Sequence, residues 1–153
     1  KLCYYIGGND LMLERAKPVL EASAAKILPL GSIGDAMVLK IVTNLVSAVI
    51  VEAVAEAAAI TKANDIPLER LHEALESNAN YSTLIGMKLP AIIKGDFDPH
   101  FSLRNMLKDA DFARELAAEA KLNAPALDCT AAAMRQGVQD GKGDLDFSVI
   151  GQR

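Results

Sequence analysis

One long helical pattern dominates the chain. It begins after the Gly31-Ser32-Ile33-Gly34 break, with Ser32 or Asp35 as its cap, and runs to about Asn64. At 1.5 Å per residue it spans about 40 Å, long enough to form the spine of a domain or a dimer surface. Most of its circumference is apolar, through Met37, Val38, Leu39, Ile41, Val42, Leu45, Val46 and the Val49–Val51 run. Four polar residues, Lys40, Thr43, Asn44 and Ser47, follow the i, i+3, i+4, i+7 spacing and share one stripe. A helix apolar on its other sides is normally buried. The stripe is therefore expected to hold an amine and an amide side by side in a sheltered place. Burying an amine is costly unless it has partners or loses its proton, and catalysis is one reason to do so.

The rest of the chain reads as mainly α. Alanine clusters at 53–59, 117–120 and 131–133 favour helix, and Gly and Pro are scattered. A net charge of −4 with no basic patch argues against a nucleic-acid partner. Cys3 and Cys129 have no metal-ligand spacing and read as reduced thiols of a cytoplasmic protein. The apolar run from Ile41 to Val51 is bracketed by Lys40, Glu52 and Glu56. It falls short of the roughly 20 residues a bilayer requires, so no membrane span is expected.

Residues 2–6 look like a strand, ended by Gly7-Gly8. Asn9 or Asp10 caps a helix through about Ala22, and Lys26 to Leu30 forms a second strand. So small a sheet is not stable alone. Residues 1–31 are expected to be the tail of an α/β nucleotide-binding domain whose earlier part is missing. Residues 32–153 then form a helical domain. Within it, Pro67 opens a helix at Leu68 to Glu76, and Tyr81 to Lys94 carries Gly86 and Pro90, which predict a kink or two short helices. Ser102 caps an amphipathic helix, Pro125 opens a last long helix through about Gln139, and Asp146 to Ile150 adds a turn.

Periodicity alone leaves the polar residues with two readings each. Lys40 and Asn44 can hold a small polar molecule between them, with the amine as proton donor and the amide as positioner. They equally fit a snorkelling lysine beside a helix-surface asparagine. Lys108-Asp109, with Asp111, reads by spacing as surface charge. Phe101 reads as a core anchor. Gly31-x-x-Gly34 fits a hinge or tight crossover better than a phosphate site. Asp144 and Asp146 read as caps or solvated loop charges, and no metal site is expected.

Taken in order, these segments resemble the second domain of the β-hydroxyacid dehydrogenases. The matching residues are Gly31-Ser32-Ile33-Gly34 followed by Lys40-Ile41-Val42-Thr43-Asn44, the Glu52–Ala59 helix, and Gly95-Asp96-Phe97-x-Pro99-x-Phe101. Lys108-Asp109, Ala124-Pro125 and Gly143-Asp144-x-Asp146-Phe147-Ser148 complete the series. That family includes 3-hydroxyisobutyrate dehydrogenase, tartronate semialdehyde reductase and glyoxylate/succinic semialdehyde reductase.

The resemblance implies an all-helical C-terminal domain of the 6-phosphogluconate dehydrogenase type, preceded by a strand–helix–strand remnant of a Rossmann domain. It implies Lys40 as the catalytic acid/base and Asn44 as its supporting amide. Phe101, Asp109 and Thr43 would contact a small hydroxy acid or semialdehyde. Lys108 would reach the cofactor, NAD or NADP. It also implies a homodimer or higher homo-oligomer formed through the helical domain. Many relatives carry Asn where this chain has Thr43, which points to a changed substrate contact. The G-x-G-x-x-G fingerprint that holds a pyrophosphate is absent from the 153 residues. The cofactor would therefore be bound mainly by the missing N-terminal domain, and this chain alone is expected to be inactive. A non-catalytic helical dimerisation or binding module is the second reading.

Overall fold

The structure is a computed structural model, and it describes residues 2–152. The chain forms two compact units, residues 1–43 and 44–153, with the boundary inside one long helix.

In the first unit, β1 (Leu2–Ile6) and β2 (Ala24–Pro29) form a two-stranded sheet joined by α1 (Asp10–Leu20). The strands are parallel, with Cys3 opposite Lys26 and Ile6 opposite Pro29. Parallel neighbours need a crossover, which α1 supplies. Asn9 caps α1, its side-chain oxygen accepting the N–H groups of Leu11 at 2.8 Å and Met12 at 3.4 Å. The break after β2 contains Gly31 at φ +90° and Gly34 at φ +101°. Both values lie in the region that favours glycine. The Ser32 N–H donates to Asp35 Oδ2 at 2.7 Å, so Asp35 closes the turn.

Helix α2 (Asp35–Ala63) is the long helix. By length and composition it would be able to cross a membrane. Its second half is instead the core helix of the second unit, where Ala48, Val51, Val54, Ala55 and Ala58 are buried at helical spacing. The stripe in its first half is partly sheltered, while part of the apolar flank expected to be buried is not. Met37 is 62% exposed and Val46 53% exposed, while Lys40, Asn44 and Ser47 are half-buried and Thr43 is exposed. Apolarity on several sides predicts burial only when neighbours cover those sides, and among the described residues they cover Ile41 but not Met37 or Val46.

Helices α3 (Leu68–Glu76), α4 (Thr83–Lys94), α5 (Leu103–Glu119) and α6 (Pro125–Gly137) complete the second unit. A π-turn (Val138–Lys142) and a 3-10 turn (Phe147–Gly151) come after them. The split into two short helices is not found: one helix runs from Thr83 to Lys94 with Pro90 inside it. Proline lacks the N–H that would bond the carbonyl four residues earlier, and its ring crowds that position. Here that residue is Gly86, whose bare Cα instead leaves room for the Tyr81 ring and hydroxyl, which a Cβ would overlap. The core gathers α2, Ile85, Leu89 and Ile92 of α4, Leu103 and Met106 of α5, Met134 of α6, and Phe147, Val149 and Ile150 of the C-terminal turn.

Candidate functional site

Helix α2 sets the order of the candidate residues. Lys40 stands one turn before Asn44 on the same uninterrupted helix. Thr43 sits between them, its hydroxyl donating to the Lys40 carbonyl at 2.9 Å. That bond ties the hydroxyl to the helix backbone, a habit of Thr in helices.

The Asn44 side chain has a defined role. Its Nδ2 donates to Asp109 Oδ2 at 2.6 Å, across 65 residues of sequence. Asp109 comes from α5, which starts at the Ser102 cap, where Ser102 Oγ accepts the Asn105 N–H at 3.4 Å. The Asp109 side chain is 2% exposed, and Lys108 Nζ lies 3.7 Å from its Oδ1 with its own side chain 55% exposed. The surface reading of this pair therefore holds for Lys108 and fails for Asp109. Adjacent helix residues point about 100° apart, so the two need not share an environment. Asp109 falls three residues after buried Met106 and four before buried Ala113, on the apolar face. That spacing was available in the sequence.

Phe101 is half-buried and packs its ring edge-on against Phe147, with centroids 6.5 Å apart at 84°. Its backbone is held from both sides. Its N–H donates to Asp146 Oδ2 at 3.3 Å, and its carbonyl accepts the Phe147 N–H at 3.0 Å.

Asp146 was expected as a cap or a solvated charge. It is a cap, accepting the Ser148 N–H at 3.0 Å, but it is buried rather than solvated. Lys88 Nζ donates to both of its oxygens, at 2.9 and 2.8 Å. The Ser148 hydroxyl adds a bond at 2.7 Å and the His100 N–H one at 3.2 Å. Burial pushes the Asp146 carboxyl up, and this is outweighed by the hydrogen bonds from Lys88, from the Ser148 backbone and side chain, and from the Phe101 backbone. The net shift is below the usual carboxylate value. Lys88 is itself 4% exposed, with its amine 4.6 Å from the centre of the Phe147 ring. It shares the helix face of Ile85, Leu89 and Ile92, and a lysine on an apolar stripe was the signal that sequence reasoning passed over. Asp144, by contrast, is solvated, 3.4 Å from Arg104.

A dinucleotide can be matched to these groups only in part. The exposed amine of Lys108 suits an anionic or amide portion of such a cofactor. Gly7, in the first strand–helix turn, is taken up by internal packing: a Cβ there would overlap the Ser32 carbonyl. The described residues thus present an exposed amine at Lys108, while the Gly7 turn leaves no room for a pyrophosphate.

Residues 34–152 match the sequence model described as the NAD-binding region of NADP-dependent 3-hydroxyisobutyrate dehydrogenase. The L-threonate dehydrogenase of Escherichia coli O6:H1 is 33% identical over 94% of this chain and 48% of its own length. The cytokine-like nuclear factor N-PAC of Anopheles gambiae is 27% identical over 94% of this chain and 25% of its length. The structure of Mycobacterium tuberculosis 3-hydroxyisobutyrate dehydrogenase with L-serine superposes with a TM-score of 0.91 at 28% identity, covering 99% of this chain and 54% of that one. The chain spans about half the length of the curated dehydrogenases it matches.

Proposed function

We propose, from the premise that this chain belongs to the 3-hydroxyisobutyrate dehydrogenase family, that it is the C-terminal part of an NAD(P)-dependent hydroxyacid dehydrogenase. The family uses NAD or NADP, and its dehydrogenases act on small hydroxy acids. The nicotinamide, when bound, supplies hydride chemistry at the substrate carbon. The protein's part is to hold the substrate and handle the proton. Lys40 Nζ takes a proton from the substrate hydroxyl in oxidation and returns it to the carbonyl oxygen in reduction. Asn44 holds its amide in one orientation for the lysine or the substrate. Asp109 fixes that orientation, and Phe101 and Thr43 shape the pocket around the acid. Lys108 meets the cofactor.

The observation that carries this reading is the 2.6 Å bond between Asn44 and buried Asp109. It is a charge-assisted bond, so it locks the amide one helical turn from Lys40. The test is Lys40→Met in the full-length polypeptide, assayed with 3-hydroxyisobutyrate, L-threonate and L-serine. General acid–base catalysis accounts for about 10²–10⁴-fold, so kcat should fall at least a hundredfold with dinucleotide binding intact. Unchanged turnover sinks the assignment of Lys40. This chain alone, whose sequence carries no G-x-G-x-x-G fingerprint, should not turn over NAD(P)H with glyoxylate or succinic semialdehyde.

We assign self-association to the helical unit. In support, an apolar groove of about 320 Å³ runs between Leu45, Val46, Val49 and Ile50 of α2 and the Ala124–Leu127 start of α6. We place the protein in the cytoplasm, consistent with free thiols at Cys3 and Cys129. A non-catalytic role is the second reading, favoured by the N-PAC relative, whose name is not that of a dehydrogenase. Full-length protein that binds partners yet turns over none of the three acids would favour it.

A further inference from the structure

We propose that the buried Lys88–Asp146 pair is a positioning device for the substrate pocket, acting through Phe101. The inference rests on the proposed function, in which Phe101 contacts substrate.

The geometry is specific. Asp146 Oδ2 receives the Phe101 N–H, while Phe147, the next residue, donates its own N–H to the Phe101 carbonyl. Both peptide groups of Phe101 are therefore anchored on two consecutive residues of one segment. The Phe147 ring then meets the Phe101 ring edge-on, so the side chain is braced by the segment that holds its backbone. That segment also sets the start of α5. Asp146 and Ser102 form a bridge, and Leu103 N–H donates to the Leu145 carbonyl at 2.8 Å. Ser102 caps α5, the helix that presents Lys108 and Asp109. Lys88 secures the anchor itself. It contacts both Asp146 oxygens and sits over the Phe147 ring, so one amine fixes the carboxylate and its neighbour together.

A pair that served only to stabilise the fold would not need to touch the backbone of a pocket residue. Five donors from three segments converge on one carboxylate: the Lys88 amine, the His100 and Phe101 N–H groups, and the N–H and hydroxyl of Ser148. Removing the amine leaves Asp146 aimed by the rest alone. The Phe101 ring then loses its fixed position while the reacting groups on α2 are untouched.

The experiment is a double-mutant cycle in the full-length polypeptide with Lys88→Met and Phe101→Leu, read as KM and kcat for the best substrate among 3-hydroxyisobutyrate, L-threonate and L-serine. Lys88→Met should raise the substrate KM about tenfold, with kcat and the dinucleotide KM within about twofold, for a loss of uniform binding. In the Phe101→Leu background the same change should add less than about twofold, because Lys88 acts through Phe101. Lys88→Arg, which keeps the charge, should restore most of the KM. Asp146→Glu, which keeps the pair but displaces its oxygens, runs the same cycle if Lys88→Met does not yield folded protein. Multiplicative effects of the two changes, or a fall in kcat without a rise in KM, overturn the proposal. If Phe101→Leu alone leaves KM unchanged, the placement of Phe101 in the pocket is at fault, and the proposal falls with it. If Phe101→Leu raises KM and Lys88→Met does not, the proposal alone fails.

Discussion

Replacing Lys88 by Met isolates the energetics of the buried pair. Methionine matches much of the lysine stem in length and apolar character, so the buried stem's packing is largely kept, and the change removes the ammonium. Breaking a buried pair by deleting one partner costs about 3–5 kcal/mol, because the other charge is left uncompensated. Asp146 keeps the N–H groups of His100, Phe101 and Ser148 and the Ser148 hydroxyl. These still solvate the carboxylate, so the lower end applies, about 3 kcal/mol near pH 7. That corresponds to roughly 10 °C in midpoint for a unit of this size. The loss should depend on pH in a stated direction. The folded carboxyl titrates below its ordinary value. It therefore contributes stability that is present above the unfolded value and is lost as pH falls through the folded one. In the variant, burial acts without the ammonium to oppose it, and the carboxyl moves up. The gap between the two proteins should then narrow below about pH 4. Urea unfolding followed by far-UV circular dichroism at several pH values measures it. A gap under about 1 kcal/mol at neutral pH, or one that does not change with acidification, would refute the reasoning.

Asn44→Ala removes the amide from buried Asp109 and should cost about 2 kcal/mol in the same assay; a loss near zero would mean the bond has no energetic weight. Gly31→Ala places a Cβ at φ +90° against the Asp35 carboxylate and should destabilise by about 1–3 kcal/mol, seen as a lower thermal midpoint. Ser102→Ala removes the α5 cap and should cost about 1 kcal/mol, and Ser102→Asp should recover most of it. Val46→Glu, at a 53% exposed position beside the apolar groove, should shift light-scattering mass toward monomer without changing the helical content.

The parts of the fold legible in the sequence were those with local causes. β1 is found at Leu2–Ile6, α3 at Leu68–Glu76, and α5 begins right after the Ser102 cap. Strand-like composition, Pro67 and a Ser before an amphipathic run are each sufficient signals within a few residues. The misses depended on what lies across the structure. Gly86 and Pro90 predicted a kink or two short helices, and the helix is one element from Thr83 to Lys94. Asp146 looked like loop charge because its partner Lys88 is 58 residues away. The apolar circumference of α2 promised burial that Met37, Val38, Leu39, Val42 and Val46 do not have. Of the candidate site, the Asn44–Asp109 bond links two residues that the ordered motifs had already singled out. The Lys88–Asp146 anchor was detectable only as a lysine and an aspartate in positions where apolar side chains would ordinarily pack.

The Phe101 anchor also bears on the order in which this protein can finish folding as it is synthesised. The groups that hold Phe101 and the first turn of α5 come from residues 143–148, more than forty positions further along. Helix α5 can form locally as soon as it is made, since its Ser102 cap and its helical ladder are local, although its Leu103 and Arg104 N–H groups must wait for residues 145 and 143. Its correct docking waits until Asp146 and Phe147 have been added. At about 5–20 residues per second, that is an interval of several seconds in which Leu103 and Met106 lack part of their final cover. During that interval the second unit is an incomplete intermediate, with its apolar surface open to chaperones and to neighbouring chains.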